Sequence, residues 1–235
     1  MARTTGKAQG RSRAVEEEGR EGVTLFDGEA VDISRPDSTL TDLLIDEVLM
    51  DRMVRAVERV SDRLHRATGA LESARIPYLV ADDQAVRAWV ARVDESAVRN
   101  TPDVDILLRR SDLDAADVVL SAAGFMSRVT DGAQMFLDGS SAKPRYAVHV
   151  IFAGEKVRSD DFMPAPDVNE SEVGPGFPVL ALEPLVIMLL VSFRLKDRMQ
   201  LRDMVDVGLV DETWLARLPD VLSSRLKELL DDPYG

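Results

Sequence analysis

The 235-residue chain contains no cysteine, which excludes disulfides, thiolate nucleophiles and cysteine-based zinc sites and removes any need for an oxidising compartment. Histidine is nearly absent too. With only His65 and His149 present, a Ser-His-Asp triad would be a forced reading, and no G-x-S-x-G, H-E-x-x-H, EF-hand or Walker A pattern occurs. Long apolar runs are missing. The longest, Pro184 to Phe193, is half of the roughly 20 residues a membrane-spanning helix needs, so a buried core helix and no membrane association are expected. Arg3, Lys7, Arg11 and Arg13 are followed by no apolar segment, so the start of the chain does not read as a secretory signal, and a cytoplasmic location is expected. Positive charge is in short supply: 29 basic against 42 acidic residues give a net charge of −13. That balance argues against broad non-specific nucleic-acid binding, although a local basic strip can survive inside it.

The hydrophobic share of 45% is enough to build a core, and no fixed-period repeat interrupts the chain. Four regions are expected. Residues 1–38 mix Gly, Arg, Glu and Ser and read as a mobile tail with one locally packing piece, Val23 to Ile33. Residues 39–73 carry Leu40, Leu43, Leu44, Val48, Leu49, Met53, Val57, Val60, Leu64 and Leu71 at three- and four-residue steps, a helical extension with Gly69 as a candidate break. Its early apolar stripe suits either its own domain or a second copy, a homodimer through this helix. Residues 74–182 read as an α/β core, and residues 183–235 as a C-terminal helical part.

Within the core, Ile76 to Ala81 reads as a buried strand. Asp82 and Asp83 then offer N-cap chemistry to a helix running through Val93, with Val86, Trp89, Val90 and Val93 inward. Ser111 is the expected cap of a helix from Asp112 to Ala123 that stops at Gly124. Strands are expected at Phe125–Val129, Ala133–Leu137, Arg145–Phe152 and Val179–Ala181, and helices at Pro184–Leu195, Asp197–Val207, Asp211–Leu218 and Pro219–Leu230. Trp89 and Trp214, at helical spacing among aliphatics, read as packing anchors.

The stretch Asn100 to Ser111, N-T-P-D-V-D-I-L-L-R-R-S, holds the chemistry. Asp103 and Asp105 fall on one strand face and Val104, Ile106 and Leu108 on the other. Two carboxylates about 7 Å apart along a strand repel unless a cation lies between them, and hard divalent cations prefer oxygen ligands. The same spacing also suits a solvated turn. Arg109 and Arg110 follow at once and, with Arg99, Arg128, Lys143 and Arg145, could form a basic rim for a phosphate-bearing ligand or a charge-balanced surface.

The order helix, strand, helix, D-x-D strand, helix, strands, helices, with I-P-Y-L-V at the front, T-P-D-V-D-I-L-L at the centre and F-R-L-K-D-R-M-Q-L-R-D-M-V-D-V behind, resembles the minimal nucleotidyltransferase superfamily with its DNA polymerase beta-like fold. It is most similar to the abortive-infection, toxin-type and antibiotic nucleotidyltransferases, over roughly residues 73–207. The resemblance implies an α/β fold, a small mixed sheet flanked by helices, and Asp103 and Asp105 as catalytic metal ligands for Mg²⁺ or Mn²⁺. It implies transfer of a nucleoside monophosphate from an NTP to an acceptor that is RNA, protein or a small molecule.

Three positions depart from the family pattern. Asp82 and Asp83 stand at the turn where the family has Gly-Gly or Gly-Ser to hold phosphates on bare N–H groups. His149 stands where a third carboxylate ligand is usual, and suits Mn²⁺ better than Mg²⁺. Leu189 stands where relatives place a lysine, which leaves Lys196, with Arg194, as the nearest phosphate contacts. The same two residues also read as surface cations paired with Asp197 or Asp203. These departures motivate an alternative expectation: a catalytically degenerate descendant acting as a binding or self-assembly module.

Overall fold

In the computed structural model, backbone is described for residues 38–232 and side chains for residues 48–232. The expected tail, including the Val23 to Ile33 piece, lies outside the described residues. The chain divides into two units, Met1–Met50 and Asp51–Gly235. The described part of the first is helical from Ser38. The second carries the sheet and all remaining elements.

Helix α1 (Ser38–Ser73) runs without interruption. The expected break at Gly69 does not occur, because one glycine costs a helix interior only about 1 kcal/mol. In this helix Val60, Leu64, Ala67 and Leu71 are buried in the main core, a spacing that pays for that cost many times over.

Among the described residues seven strands form one mixed sheet in the order β3-β4-β5-β2-β1-β7-β6. These are β1 (Tyr78–Ala81), β2 (Val104–Leu108), β3 (Met126–Thr130), β4 (Ala133–Leu137), β5 (Ala147–Phe152), β6 (Ser171–Val173) and β7 (Pro178–Leu180). Strand β2 lies between β1, antiparallel, and β5, parallel. Such central strands are covered on both faces and read as apolar runs. Accordingly β1 is buried throughout, and β2 is buried except at Asp105. Hairpin β3–β4 closes on Asp131 and Gly132, both at positive φ, the two-residue turn that an Asp-Gly pair favours. Strand β6 lies between the expected strands Arg145–Phe152 and Val179–Ala181, where the sequence pattern predicts none. It pairs with β7 across Gly174 to Phe177, where a Cβ on Gly174 would stand 2.5 Å from the Phe177 carbonyl oxygen, so only glycine fits.

Helices α2 (Asp82–Ala91), α3 (Leu113–Ala122), α4 (Leu182–Ser192), α5 (Leu195–Asp206) and α6 (Asp220–Asp231) complete the fold. Helix α2 packs on β1, β2 and β7 and against α4 and α5. Trp89 is one anchor, donating from Nε1 to the Leu180 carbonyl at 3.0 Å, and Trp214 is buried as the other. Val93 is exposed, since α2 ends before it. Ser111 does not cap α3. It lies in a single 3₁₀ turn, Arg110–Asp112, which enters the helix instead. The expected helix at Asp211–Leu218 is likewise a 3₁₀ segment, Glu212–Ala216, whose N-cap Asp211 accepts from the Thr213 N–H. Among the described residues no helix is long and apolar enough to cross a membrane.

Candidate functional site

The β1–α2 turn and the entry of β2 bring acidic groups to one cleft, and the first turn of α5 faces them. The β1–α2 turn departs from expectation. Asp82 and Asp83 do not cap α2, whose N-cap is Ala81 without any side-chain bond. Asp82 instead adopts φ +49°, a left-handed torsion that aspartate tolerates better than most residues but that still costs on the order of 1 kcal/mol. The residue is buried, at 6% exposure, and its carboxylate needs partners.

Helix α5 supplies them. The Lys196 ammonium stands 2.8 Å from Asp83 Oδ2, 3.2 Å from Asp82 Oδ2 and 3.3 Å from Asp103 Oδ2. One turn on, the buried Gln200 amide donates from Nε2 to Asp82 Oδ1 at 2.6 Å and also to Asp83 Oδ1. The i, i+4 spacing of Lys196 and Gln200 puts both on one helix face. Thr101 Oγ1 donates to Asp83 Oδ2 and accepts from the Asp103 N–H. Gln84 Nε2 donates to the Asp103 carbonyl.

Asp105 sits deeper. Its Oδ2 is enclosed and has no hydrogen-bond partner. Burial, then the Asp82 charge, raises this carboxyl well above its ordinary range against the pull of Lys196. Burial also raises Asp82; Lys196 and Gln200 oppose that shift, and Asp83 and Asp197 add to it. For Lys196 burial alone would lower the ammonium, but Asp82, Asp105 and Asp83 outweigh it and hold the group above its ordinary value. Four carboxylates around one ammonium leave a local surplus of negative charge, and that surplus adds to burial in raising the enclosed carboxyl.

His149 pairs with Asp105 in the β2–β5 ladder and is half-buried. Burial lowers its imidazole below the ordinary range, with Asp103 opposing, so it is neutral near pH 7. As the side chains stand, no group of three or more His, Asp or Glu is arranged to hold a metal ion among the described residues. The Asp103 and Asp105 pair nevertheless has the donor chemistry for Mg²⁺, which is commonly bound by one or two carboxylates plus substrate phosphates. The unpartnered Asp105 oxygen is the vacancy in hydrogen bonding that such a ligand would fill.

Four of the other expected cations have carboxylate partners of their own. Arg194 precedes α5 and is held by Asp197, Nε to Oδ2 at 3.0 Å, with the Arg194 N–H donating to the same oxygen at 2.8 Å. Arg109 pairs with Asp167 at 2.7 Å, Arg110 with Glu155 at 2.6 Å and Arg99 with Asp203 at 2.8 Å. Leu189 is buried in the core. The cleft encloses about 210 Å³ and is lined by Asp83, Asp103, Lys196, Gln200, Arg99 and Met199 among others. That is below the range of roughly 300–1,000 Å³ typical of pockets enclosing a whole ligand. Sequence reasoning missed Gln200, Thr101 and Gln84. Only the Lys196–Gln200 spacing could have signalled one of them.

The sequence matches no protein-family model and no curated protein. Among solved structures the fold is similar to that of ANT(2'')-Ia in complex with adenylyl-2''-tobramycin, at 14% identity and TM-score 0.44, over 74% of this chain and 99% of that chain. It is similar to an antigenic nucleotidyltransferase-like protein from Paracoccidioides brasiliensis, at 14% identity and TM-score 0.48, over 75% and 89% of the two chains. It is also similar to JHP933 from Helicobacter pylori, at 16% identity and TM-score 0.42, over 76% and 75% of the two chains. Each is a likeness of fold at low identity.

Proposed function

We propose that this chain is a nucleotidyltransferase that moves a nucleoside monophosphate from an NTP to an acceptor, with Asp103 and Asp105 holding Mg²⁺ or Mn²⁺. The observation that carries the reading is the convergence of Asp82, Asp83 and Asp103 on a single cation position, with the unpartnered Asp105 oxygen beside them. When bound, the metal ion supplies neutralisation of phosphate charge and withdraws electrons from the attacked phosphorus.

The chain's own residues do the rest. Asp105, whose Oδ2 has no hydrogen-bond partner, would offer that oxygen to the cation. His149, neutral and adjacent to Asp105, offers a nitrogen on the same face. The Lys196 side chain is 38% exposed and turns from the carboxylates toward a phosphate, where a lysine acts as a point charge. Arg194, once its Asp197 contact is shared, adds a second positive group at the same end of α5. Asp82 and Asp83 remain hydrogen-bonded by the Gln200 amide, and Lys196 stands between them and a bound phosphate.

Calorimetric titration of the full chain with each of the four common NTPs, with and without Mn²⁺ or Mg²⁺, tests this. At least one NTP is expected to bind only when the cation is present, and Asp103→Ala is expected to weaken that binding about tenfold, or about 1.4 kcal/mol. If no NTP binds with either cation, transfer is ruled out. The four carboxylates with Lys196 then remain as a structural charge network on a binding or assembly module.

A further inference from the structure

Helix α1 carries Arg52, Arg55, Arg59, Arg63 and Arg66, at successive steps of three, four, four and three residues. That spacing places all five guanidinium groups in one row. The row spans about 21 Å at 1.5 Å per residue, within a chain of net charge −13. The nearby acids of this helix, Asp51, Glu58 and Asp62, fall on a separate row about 80° round the axis at 100° per residue. Only Asp51 reaches the row, at 3.4 Å from Arg55.

The row borders a groove of about 420 Å³ that Arg59, Arg63, Asn100, Pro102, Asp138 and Tyr146 help to line. Arg63 is almost fully enclosed, at 4% exposure. Its Nη1 donates to the Pro102 carbonyl at 3.1 Å. Its Nε stands 3.4 Å from Asp138 Oδ2, within ion-pair range but outside hydrogen-bond geometry, so the Nε–H has no acceptor. Asp138 is shared with Arg66, which leaves one carboxylate against two guanidinium groups. Burial, and in smaller part the neighbouring Arg66 and Arg59 charges, press Arg63 below its ordinary value. Across the groove Arg145 lies over the Tyr146 ring at 4.7 Å and Arg63 approaches it at 5.9 Å. Arg59 and Arg145 are exposed and have no carboxylate partner among the described residues.

A buried guanidinium with an unused donor, fourth in a row of five whose other members are exposed, is costly unless an anion compensates it. A single phosphate would engage two or three of these groups, whereas a row about 21 Å long on this helix rise matches a chain of phosphates. We propose that the α1 arginine row and its groove bind the phosphodiester backbone of single-stranded nucleic acid. The groove and the acidic cleft share Asn100, Thr101 and Pro102 as lining residues, so a strand held there passes beside Asp103. The binding itself does not depend on nucleotidyl transfer.

Fluorescence anisotropy of the full chain with a short labelled single-stranded RNA, titrated over a range of salt, reads this directly. With about four phosphates engaged, log K is expected to fall against log salt with a slope near −3, from about −0.7 per phosphate. The Arg52→Glu/Arg59→Glu double variant is expected to bind at least tenfold more weakly, while Arg217→Glu, which lies outside the row, changes affinity less than twofold. Asp103→Ala is expected to retain the RNA affinity, which separates this site from the acidic cleft. Absence of RNA binding at low salt, equal binding by the double variant, or displacement of the RNA by AMP at the concentration that half-saturates it would each overturn the proposal. The last would mark a small phosphate monoester as the occupant.

Discussion

Lys196→Met is expected to lower folding stability by about 2–3 kcal/mol, read as a fall in the urea midpoint at unchanged m-value. Breaking a buried ion pair by removing one partner typically costs about 3–5 kcal/mol. The Lys196 side chain is 38% exposed, so water screens part of that and the lower figure follows. Asp82 and Asp83, at 9% and 15% side-chain exposure, are the groups left without a counter-charge. For a domain of this size the loss corresponds to about 5–10 °C in Tm.

The pH dependence has a definite sign. The Lys196 ammonium is raised above its ordinary 10.5, so its contribution is complete below pH 10.5 and is lost as pH rises through the higher folded value. Burial raises Asp82 and Asp105, so acid protonates them and removes the repulsion that Lys196 offsets. The difference between wild type and variant is therefore expected to be largest below pH 10.5 while the carboxylates are ionised, and to shrink as acid protonates them or as alkali titrates the ammonium. An additional Asp83→Asn substitution should recover part of the loss. A midpoint unchanged by Lys196→Met, or a difference that grows in acid, would show that the ammonium does not neutralise these carboxylates.

Phe136→Ala is expected to cost about 3–5 kcal/mol, a large share of the 5–15 kcal/mol that holds a typical domain together. Phe136 is on β4, is fully buried, and is paired with Val148 of β5 and Ser127 of β3. The sheet on either side cannot collapse into the void without breaking its ladder. Phe136→Leu keeps most of the volume and should cost about 1 kcal/mol. Near-equal unfolding midpoints for the two variants would contradict this account of the core.

Much of the architecture is written in short-range pattern. The period-two alternation of β5, the Asp131-Gly132 turn and the three- and four-residue steps of α1 are local signals, and a strand, a turn and a helix form there, although Val48, Leu49 and Met53 of the α1 stripe are exposed. The failures lie where a distant partner decides the outcome. Asp82 and Asp83 have the chemistry of helix caps, yet the charge of Lys196 and the amide of Gln200, more than 110 residues away, draw them off. Lys196 itself reads as a surface residue until α5 is packed beside α2. Ser111 offered a cap to α3, but a 3₁₀ turn left the first helical N–H groups to be met otherwise. Strand β6 is exposed throughout and so leaves no hydrophobic signature. The arginine steps of α1 were open to inspection in the sequence, but their significance rests on the burial of Arg63 and the groove beside it.

The left-handed Asp82 carries one further implication. Relaxed backbone geometry has been surrendered there to satisfy electrostatics, and the tension is restrained by two side chains from a single helix, not by interlocked hydrocarbon. Heat or urea would therefore slacken the mouth of the cleft before the sheet parts, giving the molecule a soft rim on a firm body.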